Sequence, residues 1–375
     1  MSLETVLPEL IRGLANFTLG NAIMIAAAAV LIYLAIAKEY EPVLLLPIGF
    51  GCLLANIPLT GMSETGMFRV LYDAGISTEL FPLLIFIGVG AMIDFSPLLA
   101  QPRMVLFGAA GQFGIFGTLI LATLIGFPLN EAASIGVIGA IDGPTSIFVA
   151  TKLAPELLAP IAVAAYSYMS LIPLIQPPLM RLLTTKAERQ IRMEYMPRPV
   201  SKRARIAFPV LVTLVIGLLM PDATPLISML MLGNLLREAG VVERLSKAAQ
   251  NEIINIATLF LGLTIGSTMN AGAFLNTQTL AILVLGLFAF GLDTVAGLLF
   301  GKLMSRLSGG KINPLIGAAG ISAFPMAGRL AAKTALDEDY ENFILMHAMG
   351  ANTAGQLGSV MAGGVLLALV SHLVL

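Results

Sequence analysis

The sequence predicts an all-α polytopic membrane protein of about ten or eleven transmembrane helices, in two inverted-repeat halves whose broken helices and re-entrant segments meet near the midplane. Three observations carry that expectation. Of 375 residues, 57% are hydrophobic and 11% charged, with a mean hydropathy of +0.91; a soluble domain carries about 25% charged residues. Apolar stretches long enough to cross a bilayer recur along the whole chain. Two of them are interrupted by glycine and proline at corresponding places.

The same composition excludes several classes. Too few polar side chains exist to cover a water-facing globule, so a soluble enzyme, a disordered chain and a nucleic-acid binder are ruled out. Cys52 is the only cysteine, which excludes a disulfide scaffold. Two histidines, His347 and His372, are too few for a His-rich zinc or iron site. A transmembrane β-barrel needs strands that alternate apolar and polar residues, and these stretches run apolar throughout.

A crossing helix needs roughly 20 mostly apolar residues. Such stretches fall near 20–37, 42–59, 79–99, 104–127, 132–151, 156–180, 205–220, 224–236, 253–276, 277–304, 312–335 and 343–374. The short or Gly/Pro-rich ones read as re-entrant pieces. They group as N-terminal membrane helices (1–78), a first repeat half (79–180), a basic loop (181–205), and linking helices with a second repeat half (206–375). The start holds Glu4 and Glu9 without a basic run before an apolar core, so no cleavable signal peptide is expected. Trp is absent, leaving Tyr and Phe for any interfacial belt.

Orientation follows from Lys and Arg. Eight of the 21 lie between 181 and 205: Arg181, Lys186, Arg189, Arg192, Arg198, Lys202, Arg203 and Arg205. The positive-inside rule makes this loop cytoplasmic. It reads as a topology determinant and lipid-headgroup contact, or as a docking surface for a cytoplasmic partner.

The sequences on either side of the loop read as an internal repeat, or as a coincidence among Gly/Ala-rich helices. Phe86-Ile87-Gly88 resembles Phe260-Leu261-Gly262, Ile138-Gly139-Ala140 matches Ile316-Gly317-Ala318, and Pro144 and Lys152 find counterparts in Pro325 and Lys333. Duplicated halves with interrupted hydrophobic segments are the sequence sign of a transporter whose half-helix ends bind ions and substrate. The interruptions are Gly139-Ala140-Ile141-Asp142-Gly143-Pro144, and Asn313-Pro314 onward to Pro325.

Asp142 is the sharpest feature. An ionised carboxylate inside a membrane is costly unless it is paired, ion-bound or protonated. Gly143 and Pro144 disfavour a continuous helix and free backbone carbonyls beside it. With Thr145 and Ser146 they form an all-oxygen set suited to a hard cation. Asp142 also reads as the cap of a helix starting at Pro144, and the two roles are compatible. In the second interruption, Asn313, Ser322 and Asn352 offer amides and a hydroxyl. Arg329, about one turn beyond Pro325, suits bidentate recognition of a carboxylate or snorkels from a helix end. The small-residue run from His347 to Gln356 lines a cavity or lets helices pack closely. Tyr166 and Tyr168 are proton donors inside the bundle or interfacial anchors. Asp94 is a second intramembrane acid or a helix-end residue. Asp293 reads as structural, His347 as a bundle histidine and His372 as an interfacial one.

Four runs carry a resemblance: Gly139-Ala140-Ile141-Asp142-Gly143-Pro144-Thr145, Ala165-Tyr166-Ser167-Tyr168-Met169, Gly309-Gly310-Lys311-Ile312-Asn313-Pro314-Leu315-Ile316-Gly317, and His347-Ala348-Met349-Gly350-Ala351-Asn352. Pro225 to Leu245 adds a fifth. Together they resemble the β subunit of sodium-pumping biotin-dependent decarboxylases, whose complexes act on oxaloacetate, glutaconyl-CoA or methylmalonyl-CoA, and the likeness spans nearly the whole chain. The short chain is more similar to the acyl-CoA members.

That resemblance implies a subunit of the prokaryotic inner membrane that decarboxylates carboxybiotin, exports sodium ions and consumes a proton. It implies a biotin carrier subunit, a carboxyltransferase (α) subunit and a small membrane-anchor subunit as partners; a homo-oligomer is also compatible. Carried over by position, Asp142, Tyr168 and Arg329 are catalytic. Asn313, Ser322 and Arg329 bind carboxybiotin, and Asp142, Asn313, Gly317, Ser322 and Asn352 bind sodium. The chain departs from the pattern at Ala331-Ala332-Lys333, where a further Asn is expected. Two alternatives use the same features: a stand-alone sodium-coupled carrier of a carboxylate, and a structural anchor for a soluble enzyme, which leaves Asp142 unexplained.

Overall fold

The computed structural model describes residues 12–39, 41–194 and 199–374. Those residues are helical throughout the body, with no β-strand among them. The longer helices and the short ones that position the site are α1 (Leu19–Ala37), α2 (Pro42–Ala55), α3 (Leu80–Met92), α4 (Phe113–Ile125), α5 (Leu129–Gly136), α6 (Gly143–Leu153) and α7 (Leu158–Leu183). Then follow α8 (Lys202–Leu219), α9 (Thr224–Ala239), α10 (Ile254–Ser267), α11 (Thr277–Leu307), α12 (Leu315–Ala318), α13 (Met326–Glu338) and α14 (Leu345–Val374).

Side chains mark the helix starts. Thr18 and Asn21 close a capping box ahead of α1, the Ser201 hydroxyl caps α8, and Asn276 Oδ1 accepts the Thr279 amide at 2.7 Å to start α11. Each satisfies amides that a helix N-terminus leaves unpaired.

Five helices among the described residues are long and apolar enough to cross a membrane: Leu19–Ala37, Pro102–Ile125, Glu243–Ser267, Thr277–Leu307 and Leu345–Leu373. Two bent pairs raise that to seven. The difference from the ten or eleven expected crossings has a physical cause, because several hydrophobic stretches are divided into pieces too short for a bilayer of about 30 Å. Met67–Ile76 meets Leu80–Met92 at 60°, and Pro155–Met169 meets Leu171–Leu183 at 61°. Pro173 explains the second bend: its ring cannot sit against the carbonyl four residues earlier, at Met169.

Both expected interruptions are breaks in the chain. The stretch 132–151 holds α5, a 3-10 turn at Val137–Ala140, an unwound Ile141-Asp142 and then α6. The stretch 312–335 holds α12, an irregular segment and then α13. Residues 132–150 and 313–323 are buried without exception, whereas only 17% of the α1 window is buried. Irregular backbone survives at membrane depth only when protein surrounds it.

Four glycines set the helix pairing around these breaks. A Cβ at Gly51 would run into the Leu263 carbonyl, and one at Gly266 into that of Ile48, so α2 and α10 are in backbone contact. Gly90 and Gly233 stand in the same relation to Leu230 and Ile87, joining α3 to α9. Close approach of this kind replaces the hydrophobic driving force that helices lack in lipid.

The basic loop is folded onto the end of α13. Arg181 pairs with Asp337 at 3.3 Å, Arg189 with Glu338 at 2.7 Å, and Arg192 with Asp339 and Glu341 at 2.7 Å each. Much of its charge is therefore engaged within the chain. Arg198, Glu4 and Glu9 lie outside the described residues.

Candidate functional site: the crossing of two broken helices

A helix break leaves carbonyls without partners, and in an apolar interior each must be satisfied. Here side chains from other helices satisfy them. The Ala318 carbonyl accepts from Gln176 Nε2 at 2.7 Å and the Ile321 carbonyl from Asn352 Nδ2 at 2.7 Å. Gln112 Nε2 reaches the Gly320 and Gly355 carbonyls at 3.4 and 3.2 Å. The Ala140 carbonyl accepts from the Ser322 hydroxyl, which ties one break directly to the other.

Asp142 sits at this crossing, 4% exposed, and caps α6. Its Oδ2 accepts from Thr145 Oγ1 at 2.7 Å, Gln356 Nε2 at 2.8 Å and Ser359 Oγ at 2.8 Å. Oδ1 accepts the Thr145 amide at 3.4 Å. All of these donors are neutral, and no ion pair reaches Asp142 among the described residues. Ser146 turns away to bond the Asp142 and Val137 carbonyls at 2.9 and 3.3 Å.

The tyrosines divide. The Tyr166 ring covers Gly143, where a Cβ would collide with it, and its buried hydroxyl has no hydrogen-bond partner. Tyr168 points to α11, donating to the Leu283 carbonyl with its ring against Gly286. Tyr166 is thus the tyrosine at the break, and Tyr168 stands on the α11 side.

The other expected site residues spread along the second break. Ser322 and Asn352 join the crossing. Gly317 is in mutual backbone contact with Gly297 of α11. Asn313 binds the base of the basic loop, donating to the Arg189 and Ile191 carbonyls at 2.9 Å each while its Oδ1 accepts the Leu315 amide at 3.0 Å. The Arg329 side chain is exposed on α13, with no hydrogen bond or ion pair among the described residues. The same helix lines a cavity with Pro173, Pro177, Arg181, Lys333 and Asp337.

Gln112, Gln176 and Ser359 were not legible as site residues. Nothing in their local spacing marks them, because their targets lie in distant segments. Gln356 ends the small-residue run from His347, and its position was the one available signal. Asp94 Oδ1 accepts the Ser96 amide at 2.9 Å just ahead of the Ser96–Ala100 helix, and its side chain is 47% exposed. His347 is buried in α14 and His372 is exposed near its end.

The crossing suits a cation. Three amide oxygens around it, Gln112 Oε1, Gln176 Oε1 and Asn352 Oδ1, are buried without a hydrogen-bond partner. With Asp142 they are hard oxygen donors of the kind that alkali and alkaline-earth ions take. No cluster of three or more His, Cys, Asp or Glu able to hold a metal exists among the described residues.

Fold and site together define a polytopic helical membrane protein with a buried carboxylate at the meeting of two broken helices, the arrangement of an ion-translocating protein. Residues 20–370 match the family described as the Na+-transporting oxaloacetate decarboxylase beta subunit, and the chain belongs to that family. It is 56% identical over 360 residues to the methylmalonyl-CoA decarboxylase subunit beta of Veillonella parvula, covering 96% of each chain. It is 53% identical over 358 residues to the glutaconyl-CoA decarboxylase subunit beta of Acidaminococcus fermentans, covering 96% of this chain and 95% of the relative. To the oxaloacetate decarboxylase beta chain 2 of Salmonella typhi it is 49% identical over 417 residues, covering 95% and 96%. The chain is therefore a membrane-embedded β subunit of a multi-subunit sodium-transporting decarboxylase, and the stand-alone carrier and passive anchor are set aside.

Proposed function

We propose that this subunit decarboxylates carboxybiotin presented by a biotin carrier subunit and uses the loss of CO2 to export sodium. The bond between the carboxyl carbon and the ureido nitrogen breaks, CO2 leaves, and that nitrogen takes up one proton. The site therefore needs an acid and a group that holds the carboxylate. Asp142 is the acid at which sodium and a proton compete, so its protonation releases sodium. One observation supports this above the others: Asp142 is buried among neutral donors alone. A charge there is costly unless a proton or a metal ion joins it.

Ser322 and Asn352 join Asp142 in holding sodium, with Gly317 and Asn313 further along the same segment. Arg329 receives the carboxylate of carboxybiotin, a role that its exposure and lack of internal partners favour. Asn313 and Ser322 contribute to the same binding, and Tyr168 is a further proton donor. The basic loop 181–205 lies in the cytoplasm of a prokaryotic cell, with the chain in its inner membrane. A carboxyltransferase (α) subunit and a small membrane-anchor subunit complete the assembly.

The first repeat half, 79–180, and the second, within 206–375, are inverted repeats; in support, each holds a helix break within a buried stretch, one at Ile141-Asp142 and one between α12 and α13. The substrate that charges biotin is an acyl-CoA. The alignment with the oxaloacetate chain runs over 417 residues for 95% of this chain, whereas those with the acyl-CoA relatives run over 360 and 358 for 96%.

Sodium uptake into inverted vesicles, driven by methylmalonyl-CoA, glutaconyl-CoA or oxaloacetate with and without avidin, tests the reading. Uptake should require an acyl-CoA, stop with avidin, and be abolished by Asp142→Asn. Avidin-insensitive uptake, or pumping retained by that variant, would sink it.

A further inference from the structure

The outside of the bundle carries a groove between the Pro102–Ile125 span and α11 that the scheme above does not use. Its volume is about 680 Å3, within the range of small-molecule sites, about 300–1,000 Å3. Leu106, Phe113 and Phe116 line one wall, and Ala296, Leu299 and Leu303 line the other. Phe113 is 59% exposed and Leu299 53%, so large apolar side chains stand open to the outside. Gln112 is the polar member of the lining, and its amide turns inward to the Gly320 and Gly355 carbonyls.

The two walls run antiparallel. The Phe107 ring meets the Phe300 ring edge-on, with centroids 5.3 Å apart, and the Gly114 amide donates to Asp293 Oδ1. Going back from 107 on one wall therefore matches going forward from 300 on the other. Arg103 stands three residues before Leu106, and Arg306 three residues after Leu303. Each continues its wall's stripe, and both reach the same end of the groove. Both side chains are exposed, and neither makes a hydrogen bond or ion pair among the described residues. No Asp or Glu occurs between 95 and 130 or between 294 and 336, so neither wall supplies a counter-charge. This end lies on the side of the basic loop, because Lys302 Nζ of α11 bonds the Leu183 carbonyl at 3.0 Å and pairs with Glu188 at 3.4 Å.

The groove thus holds two cations at one end and apolar walls along the rest. A molecule with one anionic end and a hydrocarbon tail has the same distribution. Basic pockets between membrane helices, on the side where basic loops gather, bind anionic lipid headgroups. We propose that the groove holds an acyl chain of an anionic phospholipid whose phosphate lies between Arg103 and Arg306. The planar guanidinium fork suits a phosphate, to which it donates two parallel bonds. The seated chain covers Gln112 from outside, and so braces the joint between Gly320 of the second break and Gly355 of α14.

Lipid retention by the purified complex tests the site. In detergent holding equal phosphatidylglycerol and phosphatidylcholine with the same acyl chains, native mass spectrometry should find phosphatidylglycerol enriched on this chain. Arg103→Gln with Arg306→Gln should weaken that retention about 25-fold, about fivefold for each cation near an anionic headgroup, and leave phosphatidylcholine unchanged. Ala109→Phe, at an exposed position of the wall, narrows the groove and keeps both arginines. It should lower phosphatidylglycerol retention as well. No preference for phosphatidylglycerol in the native complex, or retention undiminished by either variant, overturns the site. A photoreactive phenylalanine analogue in place of Phe113 should crosslink to phospholipid. Crosslinking to a second copy or to another subunit instead gives the groove to a protein helix and overturns the proposal.

Discussion

Gln356 Nε2 donates to Asp142 Oδ2 over 2.8 Å, and this bond joins the last long helix to the first break across 214 residues of sequence. Ser359, one turn further on, reaches the same oxygen at 2.8 Å. Two of the three donors on Oδ2 therefore come from α14, and movement of that helix would change how firmly Asp142 holds a cation or a proton.

Gln356→Leu should raise the sodium concentration for half-maximal decarboxylation by about tenfold, since a hydrogen bond to a charged group contributes about 1.5–3 kcal/mol. Ser359→Ala should act in the same direction. Sodium titration of the decarboxylation rate measures both, and unchanged curves would remove α14 from the site.

Gly143→Ala forces a methyl group into the Tyr166 ring. Overpacking of this kind costs about 1–3 kcal/mol. The purified complex should melt at a lower temperature, and Tyr166→Leu should restore part of the loss. Tyr166→Phe should leave stability intact or raise it by about 1 kcal/mol, because the buried hydroxyl it removes has no partner.

Asp339 lies outside the membrane-spanning helices. The Arg192 guanidinium, hydrogen-bonded to it, holds its carboxyl below the ordinary 3.8. A carboxyl depressed in the folded state contributes stability above its unfolded value and loses it as the pH falls through the folded one. The contact between the basic loop and the 339–341 turn should thus be intact at neutral pH and open in acid. Hydrogen exchange of residues 184–194 should rise below that window, and Arg192→Ala should raise it at neutral pH. Exchange independent of pH in the native chain would contradict the assignment.

The Arg329 side chain is exposed and makes no hydrogen bond or ion pair among the described residues, so its replacement should leave thermal stability within about 0.5 kcal/mol. Arg329→Lys keeps the charge and loses the planar fork. Turnover should fall more than sodium affinity in a steady-state assay of the complex. An unchanged rate would remove the carboxylate-binding role.

Much of the candidate site was legible because charge is expensive in an apolar chain. Asp142 stood out against its neighbours, and Gly143 and Pro144 marked the break where the structure unwinds. Ser322 and Asn352 were also anticipated, and both reach the crossing. Arg329 was read as recognising a carboxylate or snorkelling from a helix end, and it is exposed on α13, which starts at the second interruption without pointing inward along its whole length. The packing of Gly114 and Gly139 on either side of the Asp293 carboxyl group was not legible, because both glycines are distant from it in sequence.

The sequence by itself determined the membrane class, the positions of both breaks, the basic loop and the costly acid at the first break. These are local properties of composition and spacing, set by what a bilayer tolerates within one segment. The tertiary structure decided which side chain answers each freed carbonyl, that Tyr166 covers Gly143 while Tyr168 faces α11, and that Gln356 and Ser359 hold Asp142. Several of those choices join residues more than a hundred positions apart, and only the close approach of helices at their glycines selects among the many amides and hydroxyls the chain contains.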